Sequence, residues 1–364
     1  MDWFRGLQPP VQAAIIAGSV ALVTAIVTAV ATFTNTWLKD RLDRRLEEAR
    51  SQRVQRETYR RYADPLTSAA TSLYWRLREV FEIGGSYYLA VGGGATRFEE
   101  YKAFSTQYRL ASVLGWITAL EKELVLCDAQ PDRSVESMRR SISRVQQSLA
   151  EGGHVEVARA RRLSSLWQVD LSDGSEGAAG RAVDAALKRF MHTQEVVEPR
   201  ALGSAERLKL LRSVAAALSD VTGEEVDIQV LREVASEACE ALSTREAWFY
   251  RDWQSAIGDL MLELPDGSPR RFDVKGYRAF TELTSSGSAS DKAWLDRLAE
   301  ITEDLDVDRD PSEDARIEQL KGVYDALARL LVEFHRAEPD HSSISAETLA
   351  AANATLSLVS GGSS

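Results

Sequence analysis

The residues best suited to recognition chemistry lie in one aromatic run, WFYRDWQ, at residues 248–254. Tryptophan and tyrosine supply large contact areas, and arginine and glutamine supply directed hydrogen bonds, a composition typical of binding hot spots. The run falls within a helix predicted over residues 245–261, where four aromatic side chains in six positions must occupy more than one face. One interpretation is a pocket for a ligand or partner, with contacts from Trp248, Tyr250, Arg251, Trp253 and Gln254. The other, which the sequence favours, is a core helix whose indole N–H groups bond inside a bundle.

The sequence contains no motif that supports a metal site or a cofactor site. Four aspartates alternate in the run DLDVDRD at residues 304–310, which resembles the start of a calcium loop. An EF-hand needs glycine at the sixth position and an acid at the twelfth, and these places hold Arg309 and Ala315. The histidines and cysteines are too far apart for a zinc site, and no motif of a hydrolase, kinase or nucleotide-binding loop occurs. The sequence therefore predicts no cofactor and no metal. It favours a binding protein, with an enzyme in the helical body as an alternative.

The element that positions everything else is an apolar stretch near the start of the chain. Residues 11–33, VQAAIIAGSVALVTAIVTAVATF, include 23 residues without a charge. At 1.5 Å per residue such a helix covers a hydrocarbon core of roughly 30 Å. A cleaved signal peptide is the rival interpretation. The apolar region of a signal peptide is usually only about 7–15 residues long, whereas the apolar stretch of this chain is longer and is followed directly by a dense basic segment. We therefore expect a single transmembrane helix that anchors the protein in a lipid bilayer.

The basic residues near this helix predict its orientation. Arg5 is the only basic residue before it, whereas nine lysines and arginines stand between residues 37 and 61. Basic flanks remain on the cytoplasmic side, so residues 1–10 are expected outside and the rest of the chain in the cytoplasm. The predicted location is the plasma membrane, which is the inner membrane of a bacterial cell, with a single pass.

Two features near the membrane could join copies of the chain. Ala17, Ala21, Ala25 and Ala29 recur every four residues, a small-residue pattern that lets two transmembrane helices approach closely. The simpler interpretation is that alanine is common in this chain. Residues 34–64 form a basic helical stalk with few apolar positions, which permits at most a weak dimer stem. A homo-oligomer through the transmembrane helix and the stalk is thus one expectation.

Composition limits the partners of the remaining chain. The net charge is −11 over 364 residues, and the basic stalk leaves the body more acidic still. Phosphate backbones need a basic surface, so we expect no nucleic acid partner. The two cysteines, Cys127 and Cys239, have no close partner and fit a reducing compartment. The expected partner is a protein of unknown identity.

Helical periodicity continues through most of the body and predicts an all-α fold. We divide it into one helical subdomain at residues 65–171 and a second at 172–336, with a small hairpin near 262–274 and a flexible tail at 337–364. Pro65 predicts a kink or a restart of the first helix. The glycine pairs and triplets at residues 84–85 and 92–94 predict loops.

Three blocks of this sequence resemble the corresponding blocks of a known protein family. They are YADPLTSAA at residues 62–70, the segments STQY, LGWI and EKEL within 105–124, and RDWQSAIGDLM at 251–261. Together they resemble an uncharacterised family of bacterial helical proteins that often carry an N-terminal hydrophobic segment. The resemblance implies a bacterial origin and one shared fold, and it implies no activity.

The sequence thus predicts a membrane-anchored, all-helical protein that acts as a scaffold or sensor by binding. One alternative is an oligomerising membrane effector in a stress or phage-defence response. The other is an enzyme whose active site lies in the helical body without a local motif.

Overall fold

The structure, a computed structural model, describes residues 8–83, 89, 96–124, 133–171, 174–194, 199–310, 313–339 and 342–361. The chain divides into two units. One unit is Met1–Glu57 with Leu126–Asp132, and the other is Thr58–Val125 with Arg133–Ser364. The predicted loops at residues 84–85 and 92–94, together with Cys127 and most of the predicted N-terminal segment 1–10, lie outside the described residues.

The described part of the first unit is helical from Pro9 onward. It belongs to helix α1 (Pro9–Phe81), the one described helix that is long and apolar enough to cross a membrane. Its most apolar stretch has no buried residue, and the side chain of Phe33 is 74% exposed. The hydroxyls of Thr24, Thr28 and Thr32 each donate to the carbonyl four residues earlier, at 2.8–2.9 Å. These polar groups are therefore satisfied within the helix itself.

Helix α1 continues through Pro65, so the predicted restart at this proline is wrong. The hydroxyl of Thr67 donates to the carbonyls of Ala63 and Asp64, at 2.8 and 3.1 Å. Proline removes only its own N–H bond to the preceding turn, and burial of the flanking residues Tyr62 and Leu66 in the protein core holds the helix together around it.

The second unit is a helical body with one small sheet. After α1 it contains α2 (Arg97–Leu124), α3 (Arg133–Ala150), α4 (Gly153–Trp167), α5 (Glu176–Gln194), a 3₁₀ turn (Pro199–Ala201), α6 (Ser204–Thr222), α7 (Ile228–Glu233), α8 (Ala235–Leu242), α9 (Arg251–Met261), β1 (Leu262–Glu263), β2 (Asp273–Val274), α10 (Tyr277–Ser286), α11 (Ala289–Thr302), α12 (Arg316–Ala337) and α13 (Ala346–Gly361). Strands β1 and β2 pair antiparallel, with Leu262 opposite Val274. The all-α prediction and the predicted hairpin are both confirmed.

Two hydrophobic cores stabilise this body. The first core comprises the C-terminal part of α1 with α2, α3 and α9–α13. Helix α12 packs on α3 and α13, while α9 packs on α2. The second core comprises the five consecutive helices α4–α8.

The cores divide the chain elsewhere than the predicted boundary between residues 171 and 172. The second core begins in α4 and ends at Leu242. The apolar pattern of α4 looks irregular in the sequence because its apolar residues pack into two different hydrophobic clusters. Ala160, Leu163 and Trp167 join the second core, whereas Val155 packs with Trp248 and Ala315.

Two further differences concern helix ends. Helical periodicity predicts one helix over residues 226–242, whereas the structure has two, α7 (Ile228–Glu233) and α8 (Ala235–Leu242), which meet at the non-helical Val234. Residues 346–361, predicted as part of a flexible tail, form α13, in which Thr348, Ala352 and Thr355 are buried. Small residues gave little periodic signal there, but they allow α13 to pack closely on α12.

Candidate functional site

The aromatic run begins in an extended segment, residues 245–250, rather than in a helix. The N–H of Arg245 donates to the Glu313 carbonyl at 2.8 Å, and the N–H of Ala315 donates back to the Arg245 carbonyl at 2.9 Å. At the other end, the Phe249 N–H donates to the Leu149 carbonyl at 2.8 Å. These non-local bonds compete with the helical ones, so the prediction of a helix over 245–261 is wrong before Arg251, where α9 begins.

Two buried glutamines hold this extended segment against the end of α3. The Gln254 side-chain amide donates to the carbonyls of Gln146 and Phe249, at 2.8 and 2.7 Å. The Gln319 amide does the same for Leu149 and Ala247, at 2.9 and 2.8 Å. Both side chains are 2% exposed. The role of Gln254 is therefore structural, and Gln319, which sequence reasoning missed, is its counterpart on α12.

The other predicted contact residues do not converge on one pocket. Trp248 is buried beside the imidazole of His154, with ring centroids 5.4 Å apart. Trp253 is half-buried and packs edge-on against Trp294 at 5.4 Å, with the Arg297 guanidinium over its ring.

The two remaining members of the predicted site reach the surface. Tyr250 is 51% exposed. Arg251 is exposed and donates to the Gln146 side-chain oxygen at 3.1 Å. The Gln146 amide in turn donates to Glu121 at 2.9 Å. Burial raises the pKa of the Glu121 carboxyl, against the opposing effects of Gln146 and Arg251.

A concave site lies next to this segment, where the two cores meet. This junction cavity has a volume of about 460 Å³ and is lined by α5 and the end of α8 on one side and by α11 and the start of α12 on the other. The size falls within the range of small-molecule sites, which is roughly 300–1,000 Å³. Four apolar side chains contribute to its wall: Leu187, Met191, Pro199 and Leu242.

Most of the charges that line the junction cavity are already paired. The Arg316 guanidinium holds both carboxylate oxygens of Asp314, at 2.8 and 2.6 Å, and donates to the carbonyls of Glu300 and Glu303. Arg297 pairs with the Glu300 carboxylate. These bonds fix the C-terminal end of α11 to the start of α12. They form the rigid wall of the cavity on the side of the first core.

On the side of the second core, Arg159 is the central wall residue. It is 3% exposed and pairs with Asp184 at 3.1 Å and with Glu246 at 3.2 Å. Lys188 shares the Asp184 carboxylate at 2.7 Å. Burial acts to lower the pKa of Lys188, but its hydrogen bond and charge contact with Asp184 outweigh this effect and raise the pKa. Arg159 also lines a second, more apolar cavity of about 270 Å³.

Two charged side chains of the junction cavity differ from these. Within the described part of the chain, neither the Arg245 guanidinium nor the Glu303 carboxylate makes an ion pair or a side-chain hydrogen bond. Both residues are half-buried. The backbone of Arg245 is held on both sides by residues 313 and 315, so its position at the cavity wall is fixed.

The remaining candidate residues are dispersed. Cys239 is buried in the second core, where burial raises the pKa of its thiol. Asp304, Asp306 and Asp308 are exposed, and the described residues contain no cluster of histidine, cysteine, aspartate or glutamate that could hold a metal. On helix α1, the side chains of the predicted pairing face are exposed: Ala17, Ala21, Ala25 and Ala29.

No protein-family model, curated protein or solved structure matches this chain. The candidate site therefore rests on the chemistry of its own residues.

Proposed function

We propose that this protein is a single-pass membrane protein of the bacterial inner membrane whose cytoplasmic helical body acts by binding, as a sensor or scaffold. The observation that carries the proposal is the exposure of the apolar part of α1. A core helix of a soluble protein buries such residues, whereas this stretch leaves side chains such as Val27 and Phe33 uncovered on every face. A lipid bilayer is the solvent that such a surface needs.

The binding role draws on the concave site at the junction of the two cores. The body presents a cavity with both apolar and charged walls, which favours recognition of a small molecule. A protein partner at the membrane is the second expected contact, since a tethered binding module gains effective concentration toward neighbours in the same membrane.

Cysteine labelling tests the anchor and the orientation. Cys127→Ala removes one native thiol, and Cys239 is buried. New cysteines are then introduced singly, as Asp2→Cys before the apolar stretch and as Asp266→Cys in the exposed hairpin turn. In spheroplasts, a membrane-impermeant maleimide should label position 2 at once and position 266 only after permeabilisation. Labelling of position 266 in intact spheroplasts would overturn the orientation, and release of the protein by carbonate would overturn the anchor.

Cross-linking mass spectrometry in the native membrane then tests the binding role. A stoichiometric protein partner would support a scaffold. Capture of the chain by itself alone would favour the second candidate, an oligomerising membrane effector, for which the exposed alanine face of α1 is the supporting observation. In that case Ala21→Leu or Ala25→Leu should abolish self-association and any toxicity on overexpression, whereas the matched change Val23→Leu should abolish neither.

A further inference from the structure

We infer that the junction cavity binds a zwitterion of the α-amino acid class, either a free apolar amino acid or a short peptide. The inference rests on the proposed sensor function and specifies what is sensed. It starts from the charge pairing around the cavity.

The paired charges of the wall balance one another. Arg159 and Lys188 are matched by Asp184 and Glu246, and Arg297 by Glu300. Arg316 is matched by Asp314, and four of the five N–H donors of its guanidinium are engaged, since it also holds two backbone carbonyls. The formal charges of these groups sum to zero, although the buried Nε–H of Arg159 has no hydrogen-bond partner in the described part of the chain. A ligand with a large net charge would therefore have to disrupt existing pairs.

The two unpaired groups have opposite signs. Arg245 offers a planar guanidinium fork, which suits a carboxylate bidentately, and Glu303 offers a carboxylate, which suits an ammonium group. Both line the same cavity, yet they form no ion pair with each other. A ligand that carries one carboxylate and one ammonium group satisfies both side chains and leaves the cavity neutral.

The rest of the wall matches the rest of such a ligand. Leu187, Met191 and Leu242 are themselves buried and present apolar surface at the cavity. An aliphatic side chain packed there gains from the removal of apolar area from water. A volume of about 460 Å³ accommodates an amino acid and leaves room for a second residue of a dipeptide.

The position of the cavity gives binding a structural consequence. Arg245 is anchored to the strand-like bridge with residues 313–315, and Glu303 ends α11, whereas the opposite apolar wall belongs to α5 and α8 of the second core. A ligand held between these walls ties the two cores together. Binding should therefore raise the stability of the body, which is a direct readout of ligand occupancy.

The test uses the full chain in detergent. Each of the twenty α-amino acids and the dipeptide leucyl-leucine, at 10 mM, is screened by thermal unfolding, and hits are titrated by calorimetry. The inference predicts at least one apolar amino acid or the dipeptide as a hit. For a leucine hit, 4-methylpentanoate lacks the ammonium group and 3-methylbutylamine lacks the carboxylate. Each analogue should bind at least tenfold more weakly, because one charge-assisted bond is lost.

Two variants assign the contacts. Arg245→Gln should weaken the zwitterion at least tenfold and leave 3-methylbutylamine unchanged. Glu303→Gln should weaken the zwitterion similarly and leave 4-methylpentanoate unchanged. The matched control Arg278→Gln alters an arginine that is 94% exposed on α10 and should leave all affinities unchanged. Because Arg245 and Glu303 make no side-chain bonds in the described chain, both variants should unfold at the wild-type temperature without ligand.

The inference is overturned if no amino acid and no dipeptide binds, if the single-charge analogues bind as well as the zwitterion, or if neither variant changes affinity. Since this test needs no membrane and no protein partner, its failure leaves the labelling and cross-linking results standing. Conversely, a chain that binds a zwitterion but is not membrane-anchored would overturn only the proposed location.

Discussion

The two hydrophobic cores of the helical body are assembled from the sequence in different ways. The first core joins residues 59–149 to residues 247–352, whereas the second is built from the single stretch 160–242. The first contains many buried aromatic residues, among them Tyr62, Tyr74, Phe249 and Phe280, and the second is almost entirely aliphatic apart from Trp167. A core closed between distant segments must offset a larger loop-closure entropy than one built from successive helices.

The buried polar groups follow the same division. In the first core, Gln254, Gln319 and the Asp314–Arg316 pair bond segments that are far apart in the sequence or hold the ends of neighbouring helices. In the second core the buried pair Arg159–Asp184 lies at its edge, toward the junction cavity. We conclude that the buried polar bonds of the first core specify how distant segments meet, whereas the buried ion pair of the second core joins the successive helices α4 and α5 at its edge.

The largest expected effect comes from removing the carboxylate partner of a buried arginine, and it should be larger in the first core than in the second. Asp314→Ala leaves Arg316, which is 2% exposed, without its carboxylate and should lower the free energy of unfolding by about 3–5 kcal/mol. Asp184→Ala should cost less, because Arg159 keeps Glu246 as a partner at 3.2 Å. Urea unfolding of the full chain in detergent measures both. Equal losses would contradict the contrast between the cores, and Glu282→Ala, which breaks an exposed pair, is the control.

A second test inserts one methyl group into each core at a close helix crossing. At Gly258 of α9, a Cβ would overlap the Thr118 hydroxyl of α2 and lie 3.0 Å from the Leu114 carbonyl oxygen. At Gly180 of α5, it would lie 2.8 Å from the Glu156 carbonyl carbon of α4. Each Gly→Ala change should cost about 1–3 kcal/mol through overpacking.

Hydrogen exchange then separates the cores. Gly180→Ala should reduce protection in α4–α8 and leave α2 and α12 protected, whereas Gly258→Ala should reduce protection in the first core. Loss of protection throughout the body with either variant would mean that the cores unfold as one. The control is Gly322→Ala on α12, where a Cβ finds ordinary contact at 3.7 Å from Ser148, and it should stabilise the helix by up to about 1 kcal/mol.

The third prediction separates the buried from the exposed part of the aromatic run. Gln254→Leu leaves two backbone carbonyls without their donor and should cost about 1–3 kcal/mol. Arg251→Ala removes one exposed side chain and should cost less than about 0.5 kcal/mol. Thermal unfolding measures both. Loss of partner binding by Gln254→Leu without loss of stability would restore the pocket interpretation for this residue.

The sequence reasoning succeeded where a pattern was long and local. Uninterrupted apolar character predicted the N-terminal helix, and helical periodicity predicted the all-α body, to which α2 and α12 belong. The small hairpin near residues 262–274 was predicted as well. These signals depend on neighbours along the chain, so one sequence is enough to interpret them.

It failed where a distant segment supplies the partner. Nothing near residue 245 indicates that its backbone pairs with residues 313–315, and the aromatic run therefore looked helical. The cavity residues Arg245 and Glu303 lie far apart in the chain and carry no motif. Gln319 is buried on α12 beside Leu320 and Val323, and the structure shows that its amide finds its bonding partners in distant segments of the chain.

The smallest expected effect is a dependence on pH confined to the first core. Burial acts to raise the pKa of Glu82, but hydrogen bonds from Tyr324 at 2.6 Å and Arg78 at 2.7 Å outweigh it and hold the pKa below 4.5. An acid with a lowered pKa in the folded state contributes stability above its unfolded pKa and loses it as the pH falls through the folded value.

In the variant Glu82→Gln, the free energy of unfolding should therefore decrease less steeply than in the wild type as the pH falls below 4.5. At pH 7 the variant should lose less than about 1 kcal/mol of unfolding free energy, since the Glu82 side chain is one-third exposed. Glu176→Gln is the counterpart beside the second core. A hydrogen bond from Arg161 lowers the pKa of this carboxyl as well, but the Arg161 side chain is 61% exposed and such surface ion pairs contribute little to stability, so this variant should stay closer to the wild-type curve. Urea titrations from pH 3 to 7 compare the two. If both variants lose less unfolding free energy than the wild type as the pH falls, the dependence of stability on pH belongs to the body as a whole. The hydrogen bonds around Tyr324 would then not be its specific cause.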